Sequence, residues 1–484
     1  MSLPERGVPA ADVLAALADL RAGDLPTHGG RTWAYVYDSG LAEVDTVAQR
    51  AAEAVTGLNG LDPTVFPSLL AMENEVVAAA AGLLGGGPAT VGTVTSGGTE
   101  SILLAVKAAR DGRPDVQRPQ LVAPVTAHAA FAKAAEYFGV ELVPVAVDPL
   151  TFRPDPEDVA AAVTDRTVLV VASAPSYAHG VIDPVAEIAA VAAERGVRCH
   201  VDACIGGWML PFWRRLGVAL PDFDLSVPGV TSLSVDLHKY AYAPKGTSVL
   251  LHRDAELRRS QFFAFADWPG YSMINATMQS TKSAAPLAAA WAVLRHVGDE
   301  GYLRLASRTL DATRALIDGV RAVDGLRVLG PPQASLVAFG AAPDGPDLFV
   351  LADELTARGW YVQPQFAFGD LPANLHLTVT AASAPRIEPF LADLGEAVKA
   401  AHAHGPVAVD AGIVEWLRTL DPSTLTSEEF GGLLAAGGLA PGDESAGGFA
   451  LPTRMAEINA LLAAAPPRLR ERLLIEFFGL LYRP

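Results

Sequence analysis

The sequence predicts an α/β protein whose strands form a mostly parallel sheet. From residue 67 onward, short apolar runs typical of buried strands alternate with longer runs of helical periodicity. In chain order these runs are QLVAPV, HAAFAKAAEYFG, VELVPVAV, PEDVAAAV, TVLVVAS, PVAEIAAVAAERG and RCHVDA, and TSLSVDLH and TSVLLHR add further strands. Strands that alternate with helices favour a parallel sheet with helices packed on its faces.

Helical segments are predicted on both sides of this α/β region. Amphipathic stretches at residues 10–20 and 41–55 predict two N-terminal helices, and residues 69–84 predict a third. After Pro286 a long helical run leads towards a smaller α+β unit, and the string AHAHGPVAVD marks a boundary near His404. We therefore expect an N-terminal helical segment at residues 1–62, a large domain at 63–290, a small α+β domain at 291–404 and a helical extension with a Gly-rich loop at 405–484.

Composition excludes several classes of protein. Half of the 484 residues are hydrophobic and 19% are charged, which is typical of a globular chain. The net charge of −18 argues against binding to nucleic acid or to anionic membranes, because both need a basic surface. No apolar run predicts a membrane span or a signal peptide. Cys199 and Cys204 are interpreted as buried thiols, and we expect a reduced, cytoplasmic location.

A glycine pair precedes one of the predicted helices, in the segment TSGGTES. Gly97 and Gly98 allow close approach of the backbone to a phosphate, and a helix start offers free N–H groups and the positive end of its dipole. Thr99 adds a hydroxyl donor. The segment therefore predicts a phosphate site, with an ordinary helix cap as the alternative.

Three further residues complete a set that suits pyridoxal phosphate (PLP). Asp202, at the end of a strand-like run, could pair with a protonated ring nitrogen, although a strand-end cap is the alternative. Lys239 could form a Schiff base with an aldehyde coenzyme, although an isolated lysine is more often a surface charge. His128 could stack on the ring or simply begin a helix. Phosphate loop, acid and lysine, in this order on one α/β unit, are what PLP requires.

Five ordered segments resemble those of the sphingosine-1-phosphate lyases, within the group II PLP-dependent decarboxylase family. They are TSGGTESILLAVKAAR, PVTAHAAFAKAAEYFGV, SAPSYAHGVIDPV, HVDACIGGWMLPF and SVDLHKYAYAPKGTSVLL. The likeness extends over residues 59–252 and weakens in the remainder of the chain. It implies the PLP-dependent transferase fold of type I, with a mostly parallel seven-stranded sheet in the large domain and a smaller α+β domain. It also implies a homodimer with shared active sites.

The resemblance also implies roles for individual residues. Lys239 would be the Schiff-base lysine, Asp202 would contact the pyridine nitrogen and His128 would stack on the ring. The implied cofactor-binding set is Gly97, Gly98, Thr99, His128, Asp202, His238 and Lys239, with Ser280 and Thr281 in a loop that reaches the cofactor phosphate of the partner subunit. The implied catalytic set is Lys239, His128, Tyr177, His179 and Lys245, and the implied substrate set is Tyr37, Asn59, Asp62 and Lys245.

At two places the sequence departs from the family pattern. Where relatives have a glycine-serine-arginine loop, this chain has Ser280 and Lys282, and a lysine keeps the charge but loses the bidentate fork. Asp62 stands where the lyases typically have a histidine near the substrate phosphate. A carboxylate a few ångströms from a phosphate would be repelled by about 4 kcal/mol at an effective dielectric constant of about 20. An amine or hydroxyl at that end of the substrate would fit better, unless Asp62 points elsewhere.

The resemblance implies a lyase that breaks the bond between the alpha and beta carbons of a β-hydroxy amine, phosphorylated or not, and releases an aldehyde. An amino-acid decarboxylase is the alternative, because Lys239, Asp202 and His128 would serve both reactions. An aminotransferase and a non-catalytic binding protein of the same fold are weaker alternatives. In either leading case the expected ligand is a small amine or amino acid.

Overall fold

A seven-stranded sheet forms the centre of the large domain. The computed structural model describes residues 3–436 and 454–482. The strands of this sheet are β1 (Val91–Thr95), β2 (Gln120–Pro124), β3 (Glu141–Val145), β4 (Thr167–Ser173), β5 (Arg198–Asp202), β6 (Val230–Asp236) and β7 (Ser248–His252). Their order is β1-β7-β6-β5-β4-β2-β3, and only β7 runs antiparallel to its neighbours. The predicted mostly parallel sheet is therefore confirmed.

Helices precede, connect or follow the strands of this sheet, and helices pack on both of its faces. They are α1 (Ala10–Leu20), α2 (Ala42–Ala54), α3 (Pro67–Leu83), α4 (Gly98–Asp111), α5 (Ala130–Phe138), α6 (Pro156–Ala162), α7 (Val185–Glu194), α8 (Leu210–Arg215) and α9 (Ala255–Arg259). Every residue of β4 is buried, which explains why its sequence TVLVVAS is continuously apolar and does not alternate. Cys199 and Cys204 are both buried with free thiols, as predicted.

The small domain is built on an antiparallel sheet that follows a hairpin and a long helix. The hairpin is β8 (Phe263–Phe265) and β9 (Met273–Asn275), and the sheet contains β10 (Leu326–Val328), β11 (Leu336–Ala341), β12 (Gln363–Gln365) and β13 (Asn374–Thr378). Its helices are α10 (Ala284–Arg321), α11 (Leu348–Ala357) and α12 (Ile387–His404). Gly298, with φ 60°, interrupts α10, whose side chains contribute to the large-domain core as far as Leu310 and to the small-domain core from Ala312 onward. Trp33 packs against Phe390 in the small-domain core, with 4.7 Å between ring centroids.

Among the described residues, four helices follow the small domain and have an apolar cluster of their own. They are α13 (Ala411–Thr419), α14 (Ser427–Ala436), α15 (Ala456–Ala464) and α16 (Pro467–Leu481). The buried Asp353 of α11 accepts hydrogen bonds from the backbone N–H groups of Met455 and Ala456, and so caps the start of α15. The Gly-rich loop expected in this extension lies outside the described residues. No helix within the described ranges is long and apolar enough to cross a membrane.

The parallel strands bring the predicted chemical residues to one edge of the sheet. Asp202 is the last residue of β5, Lys239 lies three residues beyond β6, and Gly98 begins α4 just after β1. His128 follows β2 by four residues. In open parallel sheets, the crevice outside the carboxyl ends of the strands is where ligands bind.

Asp353→Ala should loosen α15 from the small domain. Loss of the carboxylate leaves the buried Ala456 N–H without its acceptor, which costs about 1–3 kcal/mol. We expect faster hydrogen exchange of the α15 amides, measured by mass spectrometry of the intact protein. Asp318→Ala, which removes an exposed carboxylate near Arg321, is the control. Equal protection of α15 in the two variants would contradict this role of Asp353.

Candidate active site

One cavity at the carboxyl edge of the large sheet collects most of the predicted residues. Its volume is about 360 Å³. The predicted cofactor and catalytic residues that line it are Gly97, Gly98, Thr99, His128, Tyr177, Asp202, His238 and Lys239. Asp236, Cys204 and Pro175 also line it and had not been assigned a role from the sequence.

A buried ion pair lies in this cavity. Lys239 Nζ is 2.9 Å from Asp236 Oδ2, and the Asp236 side chain is only 2% exposed. Burial alone would lower the pKa of Lys239, but the negative charge of Asp236, together with Tyr37, Cys204 and Asp202, raises it above its usual value. Burial likewise opposes ionisation of Asp236, yet Lys239 and His238 hold the pKa of this carboxyl below its usual value. The pair is therefore ionised. Asp236 was missed in the sequence, where its position three residues before Lys239 in SVDLHK was the available signal.

The start of α4 forms a cradle beside the ion pair. The N–H groups of Gly98, Thr99 and Glu100 belong to the first turn, where no intrahelical acceptor is available. A Cβ atom at Gly98 would come within 2.8 Å of both Asp236 Oδ2 and Cys204 Sγ, so only glycine fits there. The Glu100 carboxylate is held by the N–H groups of Ser96 (2.6 Å) and Met278 (2.7 Å). The free N–H groups suit an anion such as a phosphate.

An acid and an imidazole complete the cavity. Asp202 is 8% exposed, and its Oδ1 accepts a hydrogen bond from the Cys204 N–H at 3.1 Å. The backbone N–H of Ala130 donates to His128 Nδ1 at 3.1 Å, which fixes the orientation of that ring. PLP carries an aldehyde, a pyridine nitrogen, a flat ring and a phosphate. The groups that suit these four parts are, in the same order, the amine of Lys239, the carboxylate of Asp202, the ring of His128 and the start of α4. The residues present therefore fit PLP.

Tyr177 joins the cavity to the small domain. Its hydroxyl donates to Gln363 Oε1 at 2.6 Å, and its ring stacks on His376 with centroids 4.4 Å apart. Burial raises the pKa of Tyr177, so the phenol is neutral at neutral pH. Gln363 and His376 were missed in the sequence, because they lie on β12 and β13, where the family likeness is weak.

Tyr37 and Lys245 lie together near the ion pair. Lys245 Nζ is 4.9 Å from the centroid of the Tyr37 ring. Burial of the amine and the positive charge of Lys239 lower the pKa of Lys245 to about 8, although much of its side chain is exposed in the protomer. Burial raises the pKa of Tyr37, and the charge of Lys239 partly offsets this rise. Both residues are thus electrostatically coupled to Lys239.

The other predicted residues do not line the Lys239 cavity of the single chain. Asp62 is exposed, and its Oδ1 accepts from the Thr64 N–H at 2.8 Å and the Thr64 hydroxyl at 2.7 Å. Asn59 pairs with Ser283 beside a separate cavity of about 290 Å³, which Ser280 lines. Thr281 is exposed. His179 stacks on Phe152 and lines a third cavity.

Lys282 is engaged by other groups of the same chain. Its Nζ lies 2.9 Å from Glu73 Oε2 and 2.9 Å from the carbonyl oxygen of Val94. The family loop that this segment resembles has an arginine at the same place. The residue at that place in this chain, Lys282, already has the Glu73 carboxylate as its partner.

Two family models match the chain. The pyridoxal-dependent decarboxylase conserved domain matches residues 45–342. A C-terminal domain of pyridoxal-dependent enzymes, to which a helix-turn-helix fold is ascribed, matches residues 411–480. The second match covers α13–α16, for which the sequence alone had suggested no family.

Known lyases are similar over most of the chain. The sphingosine-1-phosphate lyase of Arabidopsis thaliana is 39% identical over 75% of this chain and 67% of its own length. That of Dictyostelium discoideum is 40% identical over 70% and 63%, so the chain spans about two thirds of the length of these relatives. The solved sphingosine-1-phosphate lyase of Burkholderia pseudomallei is 36% identical, with a TM-score of 0.79 over 88% of this chain and 97% of the other. The predicted fold class is confirmed, and the chain belongs to the pyridoxal-dependent decarboxylase family.

Proposed function

We propose that this protein is a PLP-dependent lyase that breaks the bond between the alpha and beta carbons of a β-hydroxy amine and releases an aldehyde. The observation that carries this proposal is the buried Lys239–Asp236 ion pair in one cavity with Asp202, His128 and the start of α4. Relatives named sphingosine-1-phosphate lyase, at 39–40% identity, favour carbon–carbon cleavage over other PLP reactions.

Each residue of the cavity has a separate task. When bound, PLP supplies an electron-poor ring that accepts the electrons of the bond being broken. Lys239 would hold the coenzyme through Nζ, and the Asp202 carboxylate would keep a proton on the ring nitrogen. The N–H groups of Gly98 and Thr99 would bind the phosphate, and the His128 ring would orient the pyridine ring from one face.

The surroundings of Lys239 and Tyr177 determine whether each side chain carries its proton. Asp236 Oδ2, at 2.9 Å, keeps the Lys239 amine in its charged form and holds it in place in the cavity. Tyr177 keeps its proton because burial raises its pKa, so it is a proton donor at Oη. Gln363 Oε1 holds that hydroxyl in place.

The substrate end of the site has a limited positive charge. Lys245, with Tyr37 beneath it, is the lysine that we assign to an anionic group of the substrate. Lys282 is paired with Glu73 and so offers little to a second anion. Asp62 would repel a phosphate wherever the two approach. A substrate with one anionic group therefore fits this charge set better than one with several.

An amino-acid decarboxylase is the second candidate. The family model that covers residues 45–342 is that of a decarboxylase domain, and a substrate carboxylate carries the single negative charge that suits Lys245. Lys239, Asp202 and His128 would act in the same way in both reactions.

We also propose a cytoplasmic homodimer with shared active sites and the four segments 1–62, 63–290, 291–404 and 405–484. Exposed aromatic and aliphatic side chains on and next to the β8–β9 hairpin support a subunit contact. They are Phe263, Phe265, Trp268, Tyr271 and Ile274. Residues 280–282 follow this hairpin and would reach the partner subunit.

Product analysis tests the proposed reaction. The purified holoenzyme should release a fatty aldehyde from a phosphorylated long-chain base, and borohydride should fix the chromophore on a peptide that contains Lys239. Carbon dioxide from a panel of amino acids, without aldehyde, would establish the decarboxylase instead. Lys239→Ala is the control and should abolish both the chromophore and the product. A wild-type protein that binds no PLP and forms neither product would refute both candidates.

Gly98→Ala should weaken coenzyme binding by about tenfold or more. The new methyl group would overlap Asp236 and Cys204, and overpacking of this kind costs about 1–3 kcal/mol. The dissociation constant for PLP can be measured from the absorbance of the reconstituted protein. Gly82→Ala, on α3, adds a methyl group with nothing within 4 Å and should bind PLP as the wild type does. Unchanged affinity in Gly98→Ala would argue against this cradle.

The KM for a phosphorylated substrate should rise about tenfold from about pH 7 to about pH 9. The pKa of Lys245 is about 8, so the amine is charged below this pH and loses its charge above it. The phosphate itself is already ionised over most of this range. Lys245→Arg remains charged and should keep a low KM at the higher pH, whereas Lys245→Met should show a high KM throughout. A wild-type KM that is flat with pH would remove Lys245 from the binding site.

A further inference from the structure

A second cavity adjoins the Lys239 cavity, and we refer to it as the annex. Its volume is about 280 Å³, and His128 and Tyr177 line both cavities. The annex lies between the turn at residues 125–129 of the large domain and residues 365–374 of the small domain. His128 and Tyr177 therefore form the boundary between the annex and the Lys239 cavity.

Three buried polar atoms without partners belong to side chains that line the annex. They are Thr126 Oγ1, His179 Nδ1 and Asn374 Oδ1, and none has a hydrogen-bond partner among the described residues. The side chains are only 7%, 4% and 2% exposed, respectively. An unpaired buried polar group costs about 1–3 kcal/mol. Three of them around one cavity favour a ligand with hydrogen-bonding groups over a purely apolar one.

The rest of the annex is apolar and carries no fixed charge. Phe366, Phe368 and Leu371 form one wall, and no Asp, Glu, Lys or Arg is among the described residues that line the cavity. Burial lowers the pKa of His179 to about 4, so its imidazole is neutral at neutral pH. A phosphate or an ammonium group would lack a counter-charge here and would be strongly disfavoured.

Phe366, which forms part of the annex wall, also contacts residues that do not line the annex. Phe366 contacts Phe349 of α11, with ring centroids 5.7 Å apart. The guanidinium of Arg470, on α16, lies 4.6 Å from the centroid of the Phe366 ring on another side. The C-terminal helices thus support a cavity next to the active site.

We propose that the annex binds an uncharged, hydroxyl-bearing apolar part of the substrate, such as a phenol ring. Its link to the reaction rests on the proposed lyase function, whereas the binding itself does not. The hydroxyl would donate to Asn374 Oδ1 or His179 Nδ1 and accept from Thr126, while the apolar wall contacts the ring. A volume of about 280 Å³ is below the range typical of whole drug-sized ligands, so the annex suits one end of a substrate.

Binding of 4-bromophenol to the holoenzyme tests this assignment without turnover. The compound is neutral at pH 7, and its bromine can be located by anomalous diffraction. We expect the bromine in the annex and a dissociation constant measurable by calorimetry in solution. 4-Bromotoluene, which lacks the hydroxyl, should bind at least about fivefold more weakly.

Two substitutions test the polar contacts separately. Thr126→Val and Asn374→Leu should each weaken 4-bromophenol binding about five- to tenfold and leave 4-bromotoluene binding unchanged. Thr126→Val conserves shape and removes a hydroxyl without a partner, so the fold should persist. The control is Thr313→Val, which removes a buried hydroxyl bonded within α10 and should bind both compounds as the wild type does.

The outcomes separate this site from the proposed reaction. The annex assignment is wrong if bromine is absent from the cavity, if only water is found there, if binding occurs in the crystal but not in solution, or if both compounds bind equally. Intact 4-bromophenol binding in an enzyme that releases no aldehyde supports the annex and refutes the lyase. Aldehyde release without 4-bromophenol binding supports the lyase and refutes the annex.

Discussion

The ion pair between Lys239 and Asp236 is the interaction on which the rest of the site depends. A fully buried carboxylate and a largely buried ammonium group stabilise each other as charges at 2.9 Å. Asp236 ends a central strand, so the sheet fixes its position. The glycine at the start of α4 lets that helix approach the same carboxylate, which brings the phosphate cradle next to the amine. A larger residue at position 98 or a neutral one at position 236 would therefore disturb amine and cradle together.

The small domain completes a site that the large domain begins. Gln363 and His376 hold Tyr177 from β12 and β13, so the position of this phenol depends on how the two domains pack. Helix α10 contributes side chains to both cores, and Trp33 of the N-terminal segment is buried in the small one. The packing that stabilises the small domain thus also sets the distance between a proton donor and the Lys239 cavity.

Local patterns in the sequence predicted the fold well, and contacts distant in sequence were not predictable from it. The amphipathic stretch at residues 10–20 coincides with α1, and the predicted order of strands and helices matches the large sheet, because hydrophobic periodicity reports local structure. Asp202 and Lys239 share a cavity because both follow ends of parallel strands. Asn374 and Gln363 belong to no recognisable sequence motif. Tertiary packing alone places Gln363 next to Tyr177 and Asn374 in the lining of the annex. Asp62 was expected near the substrate, but it lies exposed in a turn of the protomer, and its relation to the substrate stays a prediction.

The distribution of charge constrains the substrate further. Lys239 is matched by Asp236 and Lys282 by Glu73, whereas Lys245 lies over an aromatic ring and has no salt bridge within the described part of the chain. A phosphate with nearly two negative charges would meet one free lysine whose own pKa is about 8. The annex on the opposite side of Tyr177 adds hydrogen-bonding groups but no charge. A single chain therefore offers one lysine to an anionic end of the substrate and uncharged hydrogen-bonding groups to another part of it.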